Sequence, residues 1–270
     1  DTAYNIFNSS NSVLTTAGTV TATTAATQLQ ANSIAAFTKA VGYSISDTAT
    51  AIAAGTAGGR NEAIDITATT AATIAEATII DNSTNSGTNT YDITDTAENI
   101  AASSDTFVTK AGTVTASTAA TKDEADTIAG FTKAVVYNIS DTSTNIAAAT
   151  ADGLNEAVNI TATDDATFAQ AKVIEDATNS GTITYNVDDT AALIVAGLGT
   201  DSTALLEATN ISANTNANFT EAATLAGLSK AITYNISDVE ANIPGSTTIA
   251  INKAANITIT DNVTLAQAKI

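Results

Sequence analysis

One six-residue stretch recurs along the chain and limits what it can fold into. Tyr137-Asn138-Ile139-Ser140-Asp141-Thr142 has relatives beginning at Tyr43, Tyr91, Tyr185 and Tyr234, and Tyr4-Asn5-Ile6 reads as a worn opening copy. On that reading all six tyrosines occupy one place in a repeat. Such a chain is an array, in which each unit buries its apolar side only by stacking on its neighbours. A second half-repeat alternates with the first, with strand cores beginning at Val20, Ile66, Val114, Ile160, Ile211 and Ile257. The step from first to second half is 21 residues at 45/66, 93/114, 139/160 and 236/257. Twelve half-repeats cover residues 1–270 as one body. A full repeat is 46–49 residues over most of the chain, and residues 43–136 resemble 137–233 as a super-repeat.

Each strand core alternates: Tyr43 and Ile45 point one way, Ser44 and Ser46 the other. That is the period of a strand with one buried face. A capping box follows every second-half strand, at Thr27/Gln30, Thr73/Glu76, Thr121/Glu124, Thr167/Gln170, Asn218/Glu221 and Thr264/Gln267, and so predicts a helix there. Four residues after each cap stands Ala (31, 77, 125, 171, 222, 268), and seven after it Ile34, Ile80, Ile128, Ile174 or Leu225. These places share one helix face. In the first half-repeat Asp47, Asp95, Asp141, Asp189 and Asp238 are expected to cap a short helix. Its apolar anchor is Ile52, Ile100, Ile146, Ile194 or Ile243, with Val13 as the counterpart in the opening copy. The only proline, Pro244, falls where such a helix should end.

Strands joined by crossovers of about 20 residues must be parallel, with right-handed connections. The expected fold is therefore α/β: a repetitive right-handed strand–helix solenoid with a parallel β-sheet. Helices cover one face and a lawn of Thr, Ser and Asn forms the other. Twelve strands would span roughly 55 Å. The alternative is a flattened helix with the two strand types in separate sheets. The chain starts just before a Tyr strand and stops inside a helical pattern at Ile270. It reads as a piece of a longer array or as a subunit that stacks head to tail, because an open strand edge invites pairing.

Composition narrows the chemistry. Apolar residues make up 44 % and aromatics only 4 %, so the core is Ala, Ile, Val and Leu. The net charge of −19 disfavours nucleic acid as a partner. No apolar run approaches the roughly 20 residues that span a bilayer. With no Cys and no His, thiolate chemistry, disulfides and the commonest general base are excluded. An enzyme is not expected, since a carboxylate pair would need a pocket that a regular array does not offer.

The pattern Tyr-x-Ile-Ser-Asp-Thr-x-x-Asn-Ile-Ala-Ala at 137–148 resembles repeats of very large bacterial cell-surface and adhesin-like proteins. The likeness covers nearly the whole chain. It implies an extracellular structural or adhesive role, in a homopolymer or alongside neighbouring repeats. Such repeats often accompany calcium-binding haemolysin-type modules, although their Gly-Gly-x-Gly-x-Asp motif is not in this sequence.

Two sets of residues are candidate sites. The aspartates Asp47, Asp95, Asp141, Asp188, Asp189 and Asp238 could hold Ca²⁺ between coils, since a hard cation wants several oxygens; helix capping explains them equally without a metal or other cofactor. Asp164-Asp165 is the next acidic cluster. The threonines Thr21, Thr23, Thr67, Thr69, Thr115, Thr161, Thr163, Thr258 and Thr260 could form a flat plane for ice or glycan, though Thr also simply suits an exposed sheet face. The tyrosines read as core packing with a tethered hydroxyl. Lys39, Lys133 and Lys230 are expected at helix C-termini.

Overall fold

The alternation written into each strand core decides which side is buried. In the structure, a computed structural model that describes residues 1–200, 202–245 and 248–262, Tyr43 and Ile45 are buried while Ser44 and Ser46 are half-exposed. Two compact units result, Asp1–Ala119 with Thr127–Tyr137, and Ala120–Asp126 with Asn138–Ile270.

Every strand pair is parallel. In the first unit Val20–Thr21 pairs with Val41–Gly42, Ile45–Asp47 with Ile66–Ala68 and then Asn89–Thr90, and Ile93–Asp95 with Val114–Ala116. In the second, Ile139–Asp141, Ile160–Ala166, Ile183–Asp189, Ile211–Ala213 and Ile232–Thr233 form a five-stranded sheet, and Asn235–Asp238 pairs with Asn256–Ile259. The expectation of one continuous sheet is thus corrected to several small sheets. The separate-sheet alternative fails as well, because the two strand types alternate as neighbours within the same sheet.

The sheets are interrupted for a countable reason. Ile66 faces Asn89, and Ala72 faces Ile93. Six steps on the second-half chain therefore match four on its neighbour. The same two-residue excess separates Val20 from Ala26 against Val41 from Ile45, and Ile211 from Ala217 against Ile232 from Ile236. Inside Ile160–Ala166 it is a register shift. Each excursion carries a side-chain acceptor. Thr24, Thr70, Thr118, Asp164 and Thr215 accept from the backbone N–H of Ala3, Ala49, Ala97, Ser143 and Ala191. Those are the first residues of helices whose opening N–H groups lack intrahelical partners. The excursion is a designed bulge rather than a defect.

The second-half helices form as their caps require. Gln28–Ile34, Ile74–Asp81, Phe168–Glu175 and Phe219–Ala226 each carry a reciprocal capping box. Before Lys122–Ala129, Thr121 and Glu124 exchange the same two bonds. Ala31, Ala77, Ala125, Ala171 and Ala222 are buried, as are Ile34, Ile80, Ile128, Ile174 and Leu225. Burying each Ile or Leu contributes about 1.5–3 kcal/mol, and Ala at the closer place lets the helix approach the sheet. The last box, Thr264/Gln267 with Ala268, lies outside the described residues, as does the Ile243 side chain.

Two local expectations are overturned. The first half-repeat carries two short helices rather than one: Ala49–Ala54 with Ala57–Asn61, Ala97–Ala101 with Asp105–Val108, and Ser143–Ala147 with Ala151–Asn155. The segment Glu240–Gly245, which contains Pro244, is a 3-10 helix. The opening Tyr4-Asn5-Ile6 is helical, within Ala3–Phe7. Its true alignment is Asp1-Thr2-Ala3-Tyr4-Asn5-Ile6 on Asp95-Thr96-Ala97-Glu98-Asn99-Ile100. Asn5 Nδ2 donates to Asp1 Oδ1 as Asn99 Nδ2 donates to Asp95 Oδ1. Tyr4 therefore stands in the place of Glu98 and is 63 % exposed. Val13, expected as an anchor, is also exposed, and Leu14 beside it is buried instead.

Candidate functional site: the aspartate column and the hydroxyl face

The five repeat aspartates share one geometry. One carboxylate oxygen accepts from the N–H of the next residue (Thr48, Thr96, Thr142, Thr190, Val239) at 2.7–2.8 Å. The other accepts from the N–H of the first residue of a helix one coil earlier (Gln28, Ile74, Lys122, Phe168, Phe219) at 2.8–3.0 Å. Asn99, Asn145 and Asn242 add a third donor to Asp95, Asp141 and Asp238. The expectation that these aspartates cap the helix that follows them is corrected. Thr48, Thr96 and Thr142 are those caps, and Thr190 accepts from Leu193 N–H in the same way. Each aspartate instead staples the coil before it. A carboxylate fits better there than a hydroxyl, since it accepts on both sides at once and favours the positive end of the helix.

The staples bias titration. Burial alone would raise the carboxyls of Asp95 and Asp141; the N–H groups of Ile74 and Lys122, the amides of Asn99 and Asn145, and the following Thr N–H groups outweigh it and hold both below the usual carboxylate range. At Asp238 the Phe219 N–H leads the same lowering, followed by Asn242. Among the described residues no three acidic, His or Cys side chains converge as cation ligands would. Asp188 lies beside Asp189, opposite Ser212. Asp164 accepts from Ser143 N–H, and Asp165 from Asn186 Nδ2 at 3.0 Å.

A second polar ladder runs along the other end of the strands, and sequence reasoning missed it. Asp65 Oδ1 accepts from Thr88 N and Oγ1, and Asn159 Oδ1 from Thr182 N and Oγ1. Asp92 Oδ1 accepts from Thr113 N at 2.6 Å. The amides of Asn138 and Asn159, Asn186 and Asn210, and Asn235 and Asn256 join across coils. Glycine precedes each of the three threonines. A Cβ at Gly112 would sit 2.6 Å from Asp92 Oδ1, one at Gly181 2.5 Å from Asn159 Oδ1, and one at Gly87 would overlap Asp65. A Gly-Thr pair 21 to 23 residues after an Asp or Asn was the readable signal.

The outward residues form ranks. Ser46, Thr67 and Thr90 pair in sequence, as do Thr94 with Thr115, Ser140 with Thr161 and Thr184, and Ser237 with Thr258. Thr21 is exposed but opposite Gly42. Thr23, Thr69, Thr163 and Thr260 are exposed where the chain leaves the ladder for its excursion; Thr23 donates its N–H to Asp1 O, Thr69 to Asp47 O and Thr260 to Asp238 O.

The buried tyrosine column is Tyr43, Tyr91, Tyr137, Tyr185 and Tyr234. Tyr43, Tyr185 and Tyr234 donate to the carbonyls of Gly59, Ala204 and Ala250 at 2.7–2.8 Å. At Tyr91 the matching residue is Phe107, whose ring stacks on the tyrosine with centroids 6.5 Å apart. The Tyr91 hydroxyl is buried with no hydrogen-bond partner among the described residues, and burial together with the Asp81 charge pushes its pKa up to about 12. Tyr43→Phe is therefore expected to destabilise by about 1–3 kcal/mol, because the Gly59 carbonyl loses its donor. Tyr91→Phe should be neutral or stabilising by up to ~1 kcal/mol. Urea unfolding of the two variants checks the contrast; equal losses would remove the distinction. Lys39 and Lys230 reach carbonyls of the preceding coil, Gly18 O and Leu206 O, rather than their own helix ends; Lys133 is half-buried.

What this arrangement does chemically is hold coils in register. It presents hydroxyls outward. One open depression of about 520 Å³, lined by Asn218, Phe219, Asp238 and Asn242, lies directly at a staple. No family model, characterised protein or solved structure matches the chain.

Proposed function

We propose that the chain is an extracellular structural or adhesive repeat protein, acting as part of a surface array or fibre through copies of itself or neighbouring repeats. The observation that carries this reading is the disposition of the Asp column. Both oxygens of each carboxylate are engaged by N–H groups that tie one coil to another, so the most regular polar chemistry in the chain is directed at its own architecture. Among the described residues no helix is long and apolar enough to cross a membrane. Negative-stain electron microscopy of the purified chain, with calcium and then with chelator, tests the proposal. Fibres of uniform width that survive chelator are expected. Monomeric particles under both conditions would overturn self-assembly, and fibres lost in chelator would return the aspartates to a calcium-dependent surface layer.

A second reading has its own support. The hydroxyl ranks in register, such as Ser140, Thr161 and Thr184, suit a ligand that is itself a lattice, such as ice or an ordered glycan. Ice-recrystallisation and polysaccharide pull-down assays on wild type and Thr161→Lys separate this from a purely structural role.

A further inference from the structure

The side-chain bonds between coils repeat at 94 residues, not at the 46–49 of the full repeat. Asn32 Oδ1 accepts from Thr56 N and Oγ1 at 3.1 and 3.0 Å, and Asp126 Oδ1 accepts from Thr150 N and Oγ1 at 2.9 and 2.8 Å. The members of these two junctions stand 94 apart, 32 to 126 and 56 to 150. Each needs a glycine: a Cβ at Gly59 would lie 2.5 Å from Asn32 Oδ1, and one at Gly153 would overlap Asp126 Oδ1.

One full repeat on from Asn32 stands Thr78, whose hydroxyl turns back to its own helix at Ile74 O. One full repeat on from Gly59 stands Phe107, occupied with Tyr91. The loops obey the same alternation. Asn11 and Asp105, 94 apart, hold Thr38 and Thr132. In the intervening coils Asn61 and Asn155, again 94 apart, hold Thr84 and Thr178.

We infer that coil order is set by two alternating junctions that do not interchange, an Asn or Asp against Thr-x-x-Gly and a Thr against Phe107, so that a chain of this kind gains or loses coils in steps of 94 residues. A repeat array needs such a device. Near-identical coils could otherwise pair one repeat out of step, and a polar group that is satisfied only by its cognate neighbour rejects the slip.

Two deletions test this. Removing residues 47–140 joins Ser46 to Asp141 and presents Thr150 and Gly153 to Asn32. Removing 47–94 joins Ser46 to Asp95 and presents Phe107 instead. The larger deletion is expected to melt within roughly 5 °C of the full chain, and the smaller one roughly 10 °C or more below it. Phe107→Gly should raise the midpoint of the smaller deletion and lower that of the full chain. Equal midpoints for the deletions, or the same sign for Phe107→Gly in both backgrounds, would overturn the inference. If neither deletion folds, a double-mutant cycle in the full chain decides. Gly59→Phe must cost less when Asn32→Thr is present than when it is absent; additive losses refute the junction.

Discussion

Asp95→Ala is expected to destabilise its unit by about 3 kcal/mol, because one substitution strands three donors: Ile74 N–H, Thr96 N–H and Asn99 Nδ2. The Ile74 N–H belongs to a first helical turn, where no backbone carbonyl can replace the lost oxygen. Asp95→Asn keeps one acceptor oxygen and should lose roughly half as much. Urea denaturation at neutral pH measures both, and a loss under ~1 kcal/mol for the alanine variant would demote the staple to a surface contact. The carboxyl also fixes the sign of a pH effect. Its folded pKa lies below the ordinary value, so its contribution is fully present above the unfolded pKa of about 4 and is lost as pH falls through the folded one. Asp141 behaves alike. Wild type should therefore lose stability below about pH 4 and stay level from there to neutrality, with Asp95→Ala showing a shallower acid limb. An identical acid limb in the variant would contradict the assignment.

Ile160→Ala should produce a loss of similar or greater size. Ile160 is completely buried and sits in register between Ile139 on one side and Ile183 on the other. Truncation to alanine removes apolar contact and leaves a cavity between two strands that cannot close on it, for about 3–4 kcal/mol; Ile160→Val should cost about 1 kcal/mol. The corresponding fall in melting temperature for alanine is roughly 10 °C. The exposed neighbour Thr161 provides the control, with Thr161→Ala expected within about 0.5 kcal/mol of wild type. A small effect at Ile160 would mean that the coil repacks freely, contrary to the close Ala and Ile layers.

What could be read in advance follows the range of the interactions. Capping boxes are local: Thr73 and Glu76 lie three residues apart and satisfy each other, so the pattern names the helix without knowledge of the fold. The inward face of each strand was equally legible, since Tyr43 and Ile45 alternate with Ser44 and Ser46. The aspartate column was visible as a column, but not its purpose. Asp95 reaches Ile74, 21 residues back, and a bond of that separation appears only when the coils are aligned. The two-residue excursion was hidden for the same reason, because a register is a property of two strands and the sequence shows one at a time. The opening copy misled through a coincidence of letters. Tyr4-Asn5-Ile6 imitates Tyr137-Asn138-Ile139, whereas Asp1 and Thr2 before it mark the start of a helix.

The stapling of coils by N–H groups has a consequence for the medium the chain tolerates. The sequence carries 28 acidic and 9 basic residues, and the five staple aspartates are matched by neutral donors rather than by lysines. Dissolved salt screens the mutual repulsion of the surplus charge over about 8–10 Å near physiological strength, yet it has few ion pairs to weaken in return. The folded state should accordingly grow firmer from fresh water to brine, opposite to the trend for a protein held together by surface salt bridges.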